Sequence, residues 1–406
     1  MTKVVVIGGG PAGMMASLQA AKNGNKVILI DKNKNLGKKL LITGKGRCNL
    51  TNYSDLNQHL NNIIDNPEFM YSSLGEFDAY RLYYFFEGLG LPLKIERGDR
   101  VFPKSNRSQD VLKVLQKELF ENNVEIIQDQ VVEILTEKNK AVGVKLKYQG
   151  QLKAAKIILA AGGSAYPQTG SDGSGFQLAQ NLGHQIIEPE PGLCGLETKE
   201  DWIYQAEGLK LKYVDLKLLK AEKEIYSDFG DLEIRNDYLD GPLIISASMF
   251  IDSDPKAYQI EIDLKPALDY QSLDRRILRD FEKYSNKYFA NSLGDLLPQK
   301  MIPIILELSS IDYQKTVNQI TAAERQELIH LLKGLKLNIR AKKGFKRAIV
   351  TRGGVNTEEI NPKTLESKLI KDLYFAGEVI DLAAMTGGYN LQIAFSTGYK
   401  AGNNVN

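Results

Sequence analysis

Three glycines and one acid near the N-terminus have the types and the spacing needed to bind a dinucleotide. Gly8, Gly10 and Gly13 form a G-x-G-x-x-G pattern, and Asp31 follows 18 residues after Gly13. Such glycines allow a tight turn, the close approach of a pyrophosphate to the backbone, and close packing of a helix. An acid at this distance accepts hydrogen bonds from a ribose 2′-hydroxyl. A 2′-phosphate would be repelled there, so the pattern argues against NADP at this site.

The segments around these residues predict the elements that must position them. Residues 4–7 are apolar on both faces, as in a buried parallel strand. A helix is expected to begin at Pro11, and a second strand to end at Asp31. The free N–H groups and the positive dipole end of that helix would face the phosphates. The alternative is a glycine turn in an ordinary βαβ unit.

A second motif covers residues 37–52 and follows the acid-ended strand directly. Six cations lie between Lys32 and Arg47, with no acid among them. Gly44 and Gly46 would let the loop lie flat against a ligand. We therefore expect the loop to neutralise a pyrophosphate and to hydrogen-bond a planar ring. The alternative is a solvated basic loop.

Cys48 lies in this motif, where a thiol could take part in redox chemistry. The other cysteine of the chain, Cys194, is far away in sequence, and the two form no C-x-x-C pair. We expect Cys48 to have a packing or hydrogen-bonding role.

A third motif lies near the C-terminus. Gly377 and Glu378 end a buried strand, and Asp381 follows them. Gly387 and Gly388 then open a final helix, whose N-terminus would carry bare N–H groups. Its dipole could stabilise negative charge on a reduced flavin, and the preceding acid could hold ribityl hydroxyls. The alternative is an ordinary glycine-capped helix.

Composition narrows the class of protein. The 406 residues suffice for two or three domains, and 52 basic against 50 acidic residues do not favour a nucleic-acid partner. Two separated cysteines suggest a reducing, cytoplasmic location, and three separated histidines favour no metal site. No apolar run is long enough to cross a membrane. The oligomeric state is open.

Changes in pattern along the chain predict its domains. Residues 1–191 and 351–406 are expected to form the nucleotide-binding domain, and 266–334 a helical insert. Residues 192–265 and 335–350 are expected to form a β-rich, substrate-side domain. The strands expected in its first part are 213–219, 223–227, 243–250 and 258–264. In the insert, the pattern Thr321-x-x-Glu324 predicts the capping box of a helix.

Several blocks of sequence resemble one family of bacterial flavoproteins. They are Gly8-Gly-Gly-Pro-Ala-Gly-Met-Met-Ala16, residues 37–52, Val101-Phe-Pro-Lys-Ser105, Tyr166-Pro-Gln-Thr-Gly170, Thr351-Arg-Gly-Gly-Val355, and Tyr374 through Gln392. The chain is similar here to FAD flavoproteins of the aminoacetone-oxidase and BaiN type. The resemblance implies an α/β fold, in which a Rossmann-like, two-dinucleotide-binding-type FAD domain carries an inserted β-barrel-like module and a small helical domain. It also implies that the glycine loops wrap FAD.

The residues expected to bind FAD come from all three motifs and from the strand ends between them. They are Gly8, Gly10, Pro11, Ala12, Gly13, Asp31, Lys32, Lys39, Leu40, Thr43, Gly44, Gly46, Arg47, Cys48, Asn49, Val132, Ala161, Gly162, Gly377, Glu378, Asp381, Gly387, Gly388, Tyr389, Asn390 and Leu391. Proximity to the motifs gives four weaker candidates for catalysis, which are Tyr166, Arg235, Tyr389 and Asn390.

The chain departs from the family at one segment. Where the family shows Phe-Thr-His-x-Gly-Leu-Ser-Gly-Pro, this chain has Asn236 at the histidine position and Asp240 at the serine position. Any role that needs that histidine is in doubt. Arg235, Asn236 and Tyr238 would line a more polar pocket or form a plain surface turn.

These features predict an FAD-dependent oxidoreductase acting on a small molecule. One complete nucleotide fingerprint, already used by FAD, favours oxidation of a small primary amine such as aminoacetone, with O2 as acceptor and release of H2O2. One alternative is an NAD(P)H-dependent reductase of an activated C=C bond. Another is an RNA-binding or tRNA-modifying flavoprotein, because the run from Arg340 to Arg352 holds six cations and no acid.

Overall fold

A computed structural model describes residues 2–405 of the protein, and the chain divides there into two compact units. Unit 1 contains residues up to 192 together with those from 344 onward, and unit 2 contains residues 193–343. Unit 1 is thus assembled from two segments that are distant in the sequence, and unit 2 is the stretch of chain between them.

The first segment of unit 1 alternates strands and helices. Its strands are β1 (Lys3–Ile7), β2 (Lys26–Asp31), β3 (Thr51–Asn52), β4 (Ile63–Asp65), β5 (Leu93–Glu96), β6 (Arg100–Pro103), β7 (Glu125–Gln128), β8 (Val131–Glu137), β9 (Lys140–Leu146), β10 (Gly150–Lys153), β11 (Lys156–Leu159) and β12 (Ile186–Gly192). Its helices are α1 (Pro11–Lys22), α2 (Lys38–Ile42), α3 (Leu56–Asn61), α4 (Tyr71–Glu76), α5 (Ala79–Gly88), α6 (Ser108–Glu121) and α7 (Ser174–Gln180).

Unit 2 and the second segment of unit 1 complete the chain. The strands of unit 2 are β13 (Leu196–Thr198), β14 (Lys210–Lys220), β15 (Lys223–Arg235), β16 (Tyr238–Asp240), β17 (Tyr258–Asp263) and β18 (Leu335–Lys342). Its helices are α8 (Pro242–Ala247), α9 (Tyr270–Lys283), α10 (Ile302–Leu308) and α11 (Ala322–Lys333). The second segment of unit 1 contributes β19 (Val350–Val355), β20 (Leu373–Phe375), β21 (Ala383–Ala384) and α12 (Tyr389–Asn403).

A parallel sheet forms the centre of unit 1, with the strand order β20-β11-β1-β2-β7. Val4, Val5 and Val6 of β1 have no solvent-exposed surface, because parallel neighbours flank the strand and helices cover its faces. Strand β20 reaches this sheet from the C-terminal segment and pairs with β11. The α/β, Rossmann-like prediction is confirmed, and the sheet joins the two chain segments of unit 1.

A small antiparallel sheet of β8, β9 and β10 also belongs to unit 1. At its start Val131 is buried, whereas Val132 is 41% exposed, because neighbouring residues of a strand face opposite sides. Val131 lines the cavity that the glycine turn at residues 8–10 also lines, and Val132 does not. The cofactor role predicted for Val132 stays a prediction, and Val131 is the neighbouring residue that faces this cavity.

Unit 2 contains a closed barrel with the strand order β13-β16-β15-β14-β17-β18, as the resemblance implied. Apolar residues of the barrel and of the helices between β17 and β18 form one continuous core in this unit. Thr321 and Glu324 make the predicted capping box at the start of α11.

The strand predicted at 243–250 is wrong, because this segment forms α8 and a short 3-10 turn. Pro242 occupies the first helical position, where its missing N–H costs nothing. A short apolar run is compatible with either a buried strand or a buried helix, so the pattern alone did not decide. Among residues 2–405, no helix has the length and apolar character that crossing a membrane requires.

Candidate functional site

The first glycine turn connects β1 to α1 and forms one wall of a cavity in unit 1. Gly13 packs so closely that an added Cβ would lie 1.8 Å from the carbonyl oxygen of Gly8. At Gly10, by contrast, an added Cβ would meet no described atom within 4 Å. Gly10 precedes α1, and no described side chain caps that helix. The first N–H groups of α1 therefore remain available to an anion such as a pyrophosphate.

Asp31 ends β2 and lines the same cavity. Its Oδ2 accepts a hydrogen bond from the Gly9 N–H at 2.7 Å, and its Oδ1 accepts one from the Asn33 N–H at 2.7 Å. These bonds fix the carboxylate against the glycine turn. Each carboxylate oxygen has a further lone pair that can accept a bond from a ribose hydroxyl.

Three distant segments meet through Lys39, Glu378 and Thr351. The Lys39 ammonium donates to both carboxylate oxygens of Glu378, at 2.9 and 2.6 Å. Oε1 of Glu378 also accepts from the Thr351 N–H at 2.8 Å. Lys39 and Glu378 both line the cavity. The network ties the second and third motifs together, so the two motifs are parts of one site.

The loop between α2 and β3 contains a fully buried cysteine. Cys48 has no exposed surface, and its backbone lies in the left-handed region at φ 62°. Burial raises the pKa of the Cys48 thiol to about 12, so the thiol stays protonated at neutral pH. This environment suits the predicted packing role and does not produce a reactive thiolate.

Asn49, next along this loop, has a buried Oδ1 that accepts no hydrogen bond from any described residue. A buried acceptor without a donor is costly in a folded protein. A planar ring carrying N–H groups is one partner that would satisfy it.

Arg47, in the same loop, is held by neighbouring residues of unit 1. Its guanidinium contacts the Glu96 carboxylate at 2.5 Å and Asn106 Oδ1 at 2.7 Å, and it lies over the ring of Phe102 at 4.1 Å. Arg47 is not among the residues that line the cavity. It braces the loop against β5 and the turn after β6, and its predicted contact with the cofactor stays a prediction.

The third motif places the N-terminus of α12 against β3. Gly388 has φ 108°, and an added Cβ would lie 2.3 Å from the carbonyl carbon of Thr51. No described side chain caps this helix. The bare N–H groups and the dipole end that the sequence predicts are therefore present, held close to residues 51–52.

Two candidates for catalysis at the start of α12 have structural contacts. Asn390 exchanges hydrogen bonds with the Ala384 backbone, its Nδ2 donating to the carbonyl at 2.7 Å and its Oδ1 accepting from the N–H at 3.0 Å. Tyr389 is 6% exposed, and its ring meets that of His59 edge to face at a centroid distance of 5.0 Å. Burial raises the pKa of Tyr389 and lowers that of His59, so both side chains are neutral near pH 7.

The other two candidates lie in different units. Tyr166 belongs to unit 1, where its N–H donates to the Phe345 carbonyl at 2.9 Å, and Arg235 belongs to unit 2. The side chain of Arg235 is 50% exposed and pairs with Glu233 at 3.0 Å. It therefore lies on a polar surface of unit 2.

Many of the predicted cofactor residues line the cavity together. They are Gly8, Gly10, Pro11, Ala12, Asp31, Lys32, Lys39, Leu40, Thr43, Ala161, Gly162, Gly377, Glu378, Asn390 and Leu391. Others lie outside its lining, and these are Gly13, Gly44, Gly46, Arg47, Cys48, Asn49, Val132, Asp381, Gly387, Gly388 and Tyr389.

The cavity has a further wall that the sequence reasoning missed. Residues Thr169, Gly170, Ser171 and Ser174 line it, as do Asp129 and Gln130. The available signal was the glycine-rich stretch Gly170-Ser-Asp-Gly-Ser-Gly175, which resembles an incomplete nucleotide fingerprint. Residues of that stretch line the same cavity as the glycines of the first fingerprint.

The residues present fit a flavin dinucleotide. The uncapped start of α1 suits a pyrophosphate, and Asp31 suits a ribose. The unsatisfied Asn49 oxygen and the uncapped start of α12 suit a planar ring that carries N–H groups and gains negative charge.

Comparison with known proteins identifies the family of this chain. The family model for the HI0933-like protein Rossmann domain matches residues 2–404. The 3-dehydro-bile acid delta(4,6)-reductase of Clostridium scindens is 34% identical, over 99% of this chain and 98% of that protein. The ribosomal RNA dihydrouridine synthase of Escherichia coli is 26% identical, over 97% of this chain and 96% of that protein.

Solved structures show the same fold at low identity. A flavocytochrome c3 fumarate reductase gives a TM-score of 0.52 at 18% identity, covering 100% of this chain and 78% of that one. A 3-ketosteroid-delta4-(5alpha)-dehydrogenase from Rhodococcus jostii gives 0.51 at 17% identity, covering 100% and 97%. With a family model that matches almost every residue and a relative 34% identical along its length, the chain belongs to the HI0933-like family and is an FAD-dependent oxidoreductase.

Proposed function

We propose that this protein reduces a carbon–carbon double bond conjugated to a carbonyl group, with NAD(P)H as the source of electrons. The observation that carries the proposal is the 34% identity, over nearly the whole of both chains, to a delta(4,6)-reductase. The name of the second relative describes related chemistry, because dihydrouridine is uridine with its conjugated C=C bond saturated.

Amine oxidation, the activity favoured by the sequence reasoning, receives no support from these relatives. It rested on the presence of one nucleotide fingerprint, which FAD uses. A reductase needs no second fingerprint if NAD(P)H binds only transiently, delivers its hydride and leaves. The reductase alternative is therefore the one we develop.

The residues of unit 1 would bind and orient the cofactor for this reaction. Asp31 would hold the ribose, while the Lys39–Glu378 pair would fix the relative position of the second and third motifs. Bound FAD would supply hydride transfer through its ring. The N–H groups at the start of α12 would stabilise negative charge that develops there.

Burial keeps the side chains beside the start of α12 neutral. Tyr389 remains protonated, and His59 remains uncharged and hydrogen-bonded through Nε2 to the Asn52 carbonyl at 2.9 Å. A charged side chain at this position would add to or oppose the field of the helix. With both neutral, neither side chain opposes the backbone dipole at the start of α12.

The test is an anaerobic half-reaction series on the purified flavoprotein. NADH or NADPH should bleach the flavin absorbance, and a 4-ene-3-ketone should restore it with product heavier by two hydrogen atoms. The matching saturated ketone is the control and should leave the flavin reduced. Anaerobic reduction of the flavin by aminoacetone, with H2O2 released once O2 is admitted and without reoxidation by any enone, would replace this proposal with amine oxidation.

A second candidate, reduction of a uracil base in RNA, is favoured by one surface of unit 1. We define the tyrosine surface as Tyr53, Tyr80, Tyr83 and Tyr84, which contact one another edge to face. The ring centroids of Tyr53 and Tyr80 lie 4.8 Å apart, and Tyr84 is 65% exposed. Exposed aromatic rings of this kind can stack on unpaired bases.

Exposed cations lie beside the tyrosine surface. Arg97 and Arg100 are exposed around the turn between β5 and β6, and Arg100 is the strand partner of Asn52, which precedes Tyr53. Thr51, which precedes Asn52 in β3, contacts Gly388 at the start of α12. The surface therefore begins close to the third motif, and its cations could contact phosphates.

The basic run predicted to face RNA is a weaker candidate surface. Arg340 and Lys343 pair with Glu197 at 2.8 and 2.9 Å, and Arg352 pairs with Asp65 at 2.7 Å. These acids, distant in sequence, neutralise much of the run.

RNA reduction is tested by incubating the NADPH-reduced protein with ribosomal RNA fragments and measuring dihydrouridine by mass spectrometry. Arg100→Ala and Tyr84→Ala should weaken RNA binding and leave reoxidation by a small enone unchanged. Arg275→Ala, on an exposed helix of unit 2, is the matched control. RNA binding that is equal in all variants would remove this candidate.

A further inference from the structure

The cofactor cavity has two sides that are joined by direct contacts across it. Lys32 and Asn33 lie on one side, just after Asp31, and Thr169 and Ser174 lie on the other. The Lys32 ammonium reaches the Asp172 carboxylate at 2.6 Å and the Ser174 hydroxyl at 3.3 Å. The segment 166–174 is therefore tied to the chain directly after the ribose-binding acid.

A second contact lies beside the first. Asn33 Nδ2 donates to the Thr169 carbonyl at 3.1 Å, while Asn33 Oδ1 accepts from the Lys38 ammonium at 2.7 Å. Gly170 makes this approach possible, since an added Cβ would lie 2.4 Å from Asn33 Nδ2. The two contacts are independent, because one is an ion pair and the other is an amide–backbone bond.

The segment has a tightly turned backbone. Tyr166, Gly170 and Gly173 all have positive φ, at 56°, 104° and 81°, and a short 3-10 turn covers 167–169. Burial alone would raise the pKa of Asp172, but the hydrogen bonds from Lys32 and Ser174 lower it below the ordinary value. The Asp172 carboxylate is therefore charged at neutral pH and able to hold the ammonium.

We propose that segment 166–174 is a latch over the adenosine end of the cofactor, held shut by Lys32–Asp172 and Asn33–Thr169. A dinucleotide whose ribose lies on Asp31 has residues 169–171 on its other side, so its release needs the latch to open. The latch sets how fast FAD is lost. The inference rests on FAD as cofactor and is independent of the substrate proposed above.

The test is the rate of FAD release, which does not depend on activity. Release from the holoprotein is followed by the rise of flavin fluorescence after large dilution into phosphodiesterase, which cleaves each free FAD to the more fluorescent FMN and so prevents FAD from rebinding. Asp172→Asn is the principal variant, because Asp172 holds Lys32 and is not itself among the cavity-lining residues. Because the Lys32–Asp172 ion pair is partly exposed, we expect this variant to release FAD about two- to fivefold faster than the wild type at low salt.

Salt and a matched pair provide the controls. High salt should speed release from the wild type and have little effect on Asp172→Asn, because it screens the same ion pair. Glu121→Gln removes another exposed ion pair of unit 1, with Lys117, and should not change the rate.

A second variant tests the latch without changing charge. Gly170→Ala places a methyl group against Asn33 and should speed release by about tenfold or more, with native far-UV circular dichroism. The proposal is overturned if Asp172→Asn and Gly170→Ala both release FAD at the wild-type rate. It is also overturned if Asp172→Asn is faster by the same factor at every salt concentration.

Discussion

Replacing Gly388 with alanine should destabilise unit 1 and weaken FAD binding. The methyl group would lie 2.3 Å from the Thr51 carbonyl carbon and 2.5 Å from its oxygen, well inside van der Waals contact. The left-handed backbone at φ 108° adds about 1–2 kcal/mol for any residue with a Cβ. Overpacking against the backbone of β3 adds about 1–3 kcal/mol. The sum is about 2–5 kcal/mol in the free energy of unfolding.

A matched variant separates the two contributions. Gly90 also has positive φ, at 80°, but an added Cβ there would meet nothing within 4 Å. Gly90→Ala should therefore cost only the backbone contribution, about 1–2 kcal/mol, and leave FAD affinity unchanged.

Urea unfolding monitored by circular dichroism and FAD titration by fluorescence measure both effects. We expect Gly388→Ala to be less stable than Gly90→Ala by about 1–3 kcal/mol, with a weaker FAD affinity. Equal stabilities for the two variants would refute the close contact between α12 and β3. A destabilised Gly388→Ala with normal FAD affinity would refute the placement of this helix beside the cofactor.

Three further predictions follow from the site. Asp31→Ala should weaken FAD binding by about 1–3 kcal/mol in a fluorescence titration, since it removes the acceptor for Gly9 and the ribose; unchanged affinity would contradict that role. Cys48 should resist iodoacetamide at pH 8 until urea unfolds the chain, because burial raises its pKa to about 12; rapid labelling of the native protein would show otherwise. Burial lowers the pKa of His59 and of His184 below the ordinary value of 6.5. The unfolded state therefore binds protons that the folded state excludes, and the free energy of unfolding should fall as the pH drops below about 6.5. Phenylalanine at both positions should flatten that pH dependence in urea titrations, and an unchanged slope would exclude these histidines as its source.

Local patterns predicted the parts of the site in which neighbours in sequence are also neighbours in space. The turn around Gly8 and Gly13, the acid at Asp31 and the start of α12 all follow from short-range backbone requirements. Each pattern specifies its own geometry, so a reader of the sequence can recover it.

Such patterns could not predict which residues pair with one another when the two are distant in sequence. Lys39 and Glu378 are separated by 339 positions, and Lys32 and Asp172 by 140. Charge type alone does not say which acid meets which cation, since the choice depends on how β2, β11 and β20 are ordered in the sheet. The partner of Arg47 could not be predicted for the same reason, because its acid, Glu96, lies on a hairpin whose position the sequence does not give.

The division of unit 1 into two chain segments has a consequence for how the protein is made. Gly8 and Asp31 leave the ribosome early, whereas Glu378 and Leu391 are added only after the whole of unit 2. At elongation rates of about 5–20 residues per second this delay is on the order of 20–80 s. During that interval β1 and β11 lack the strand β20 that completes their sheet, and the nascent chain has no finished cavity for FAD. Cofactor capture is therefore a late event in biogenesis, and starving cells of riboflavin should leave full-length but unfilled protein rather than stalled chains.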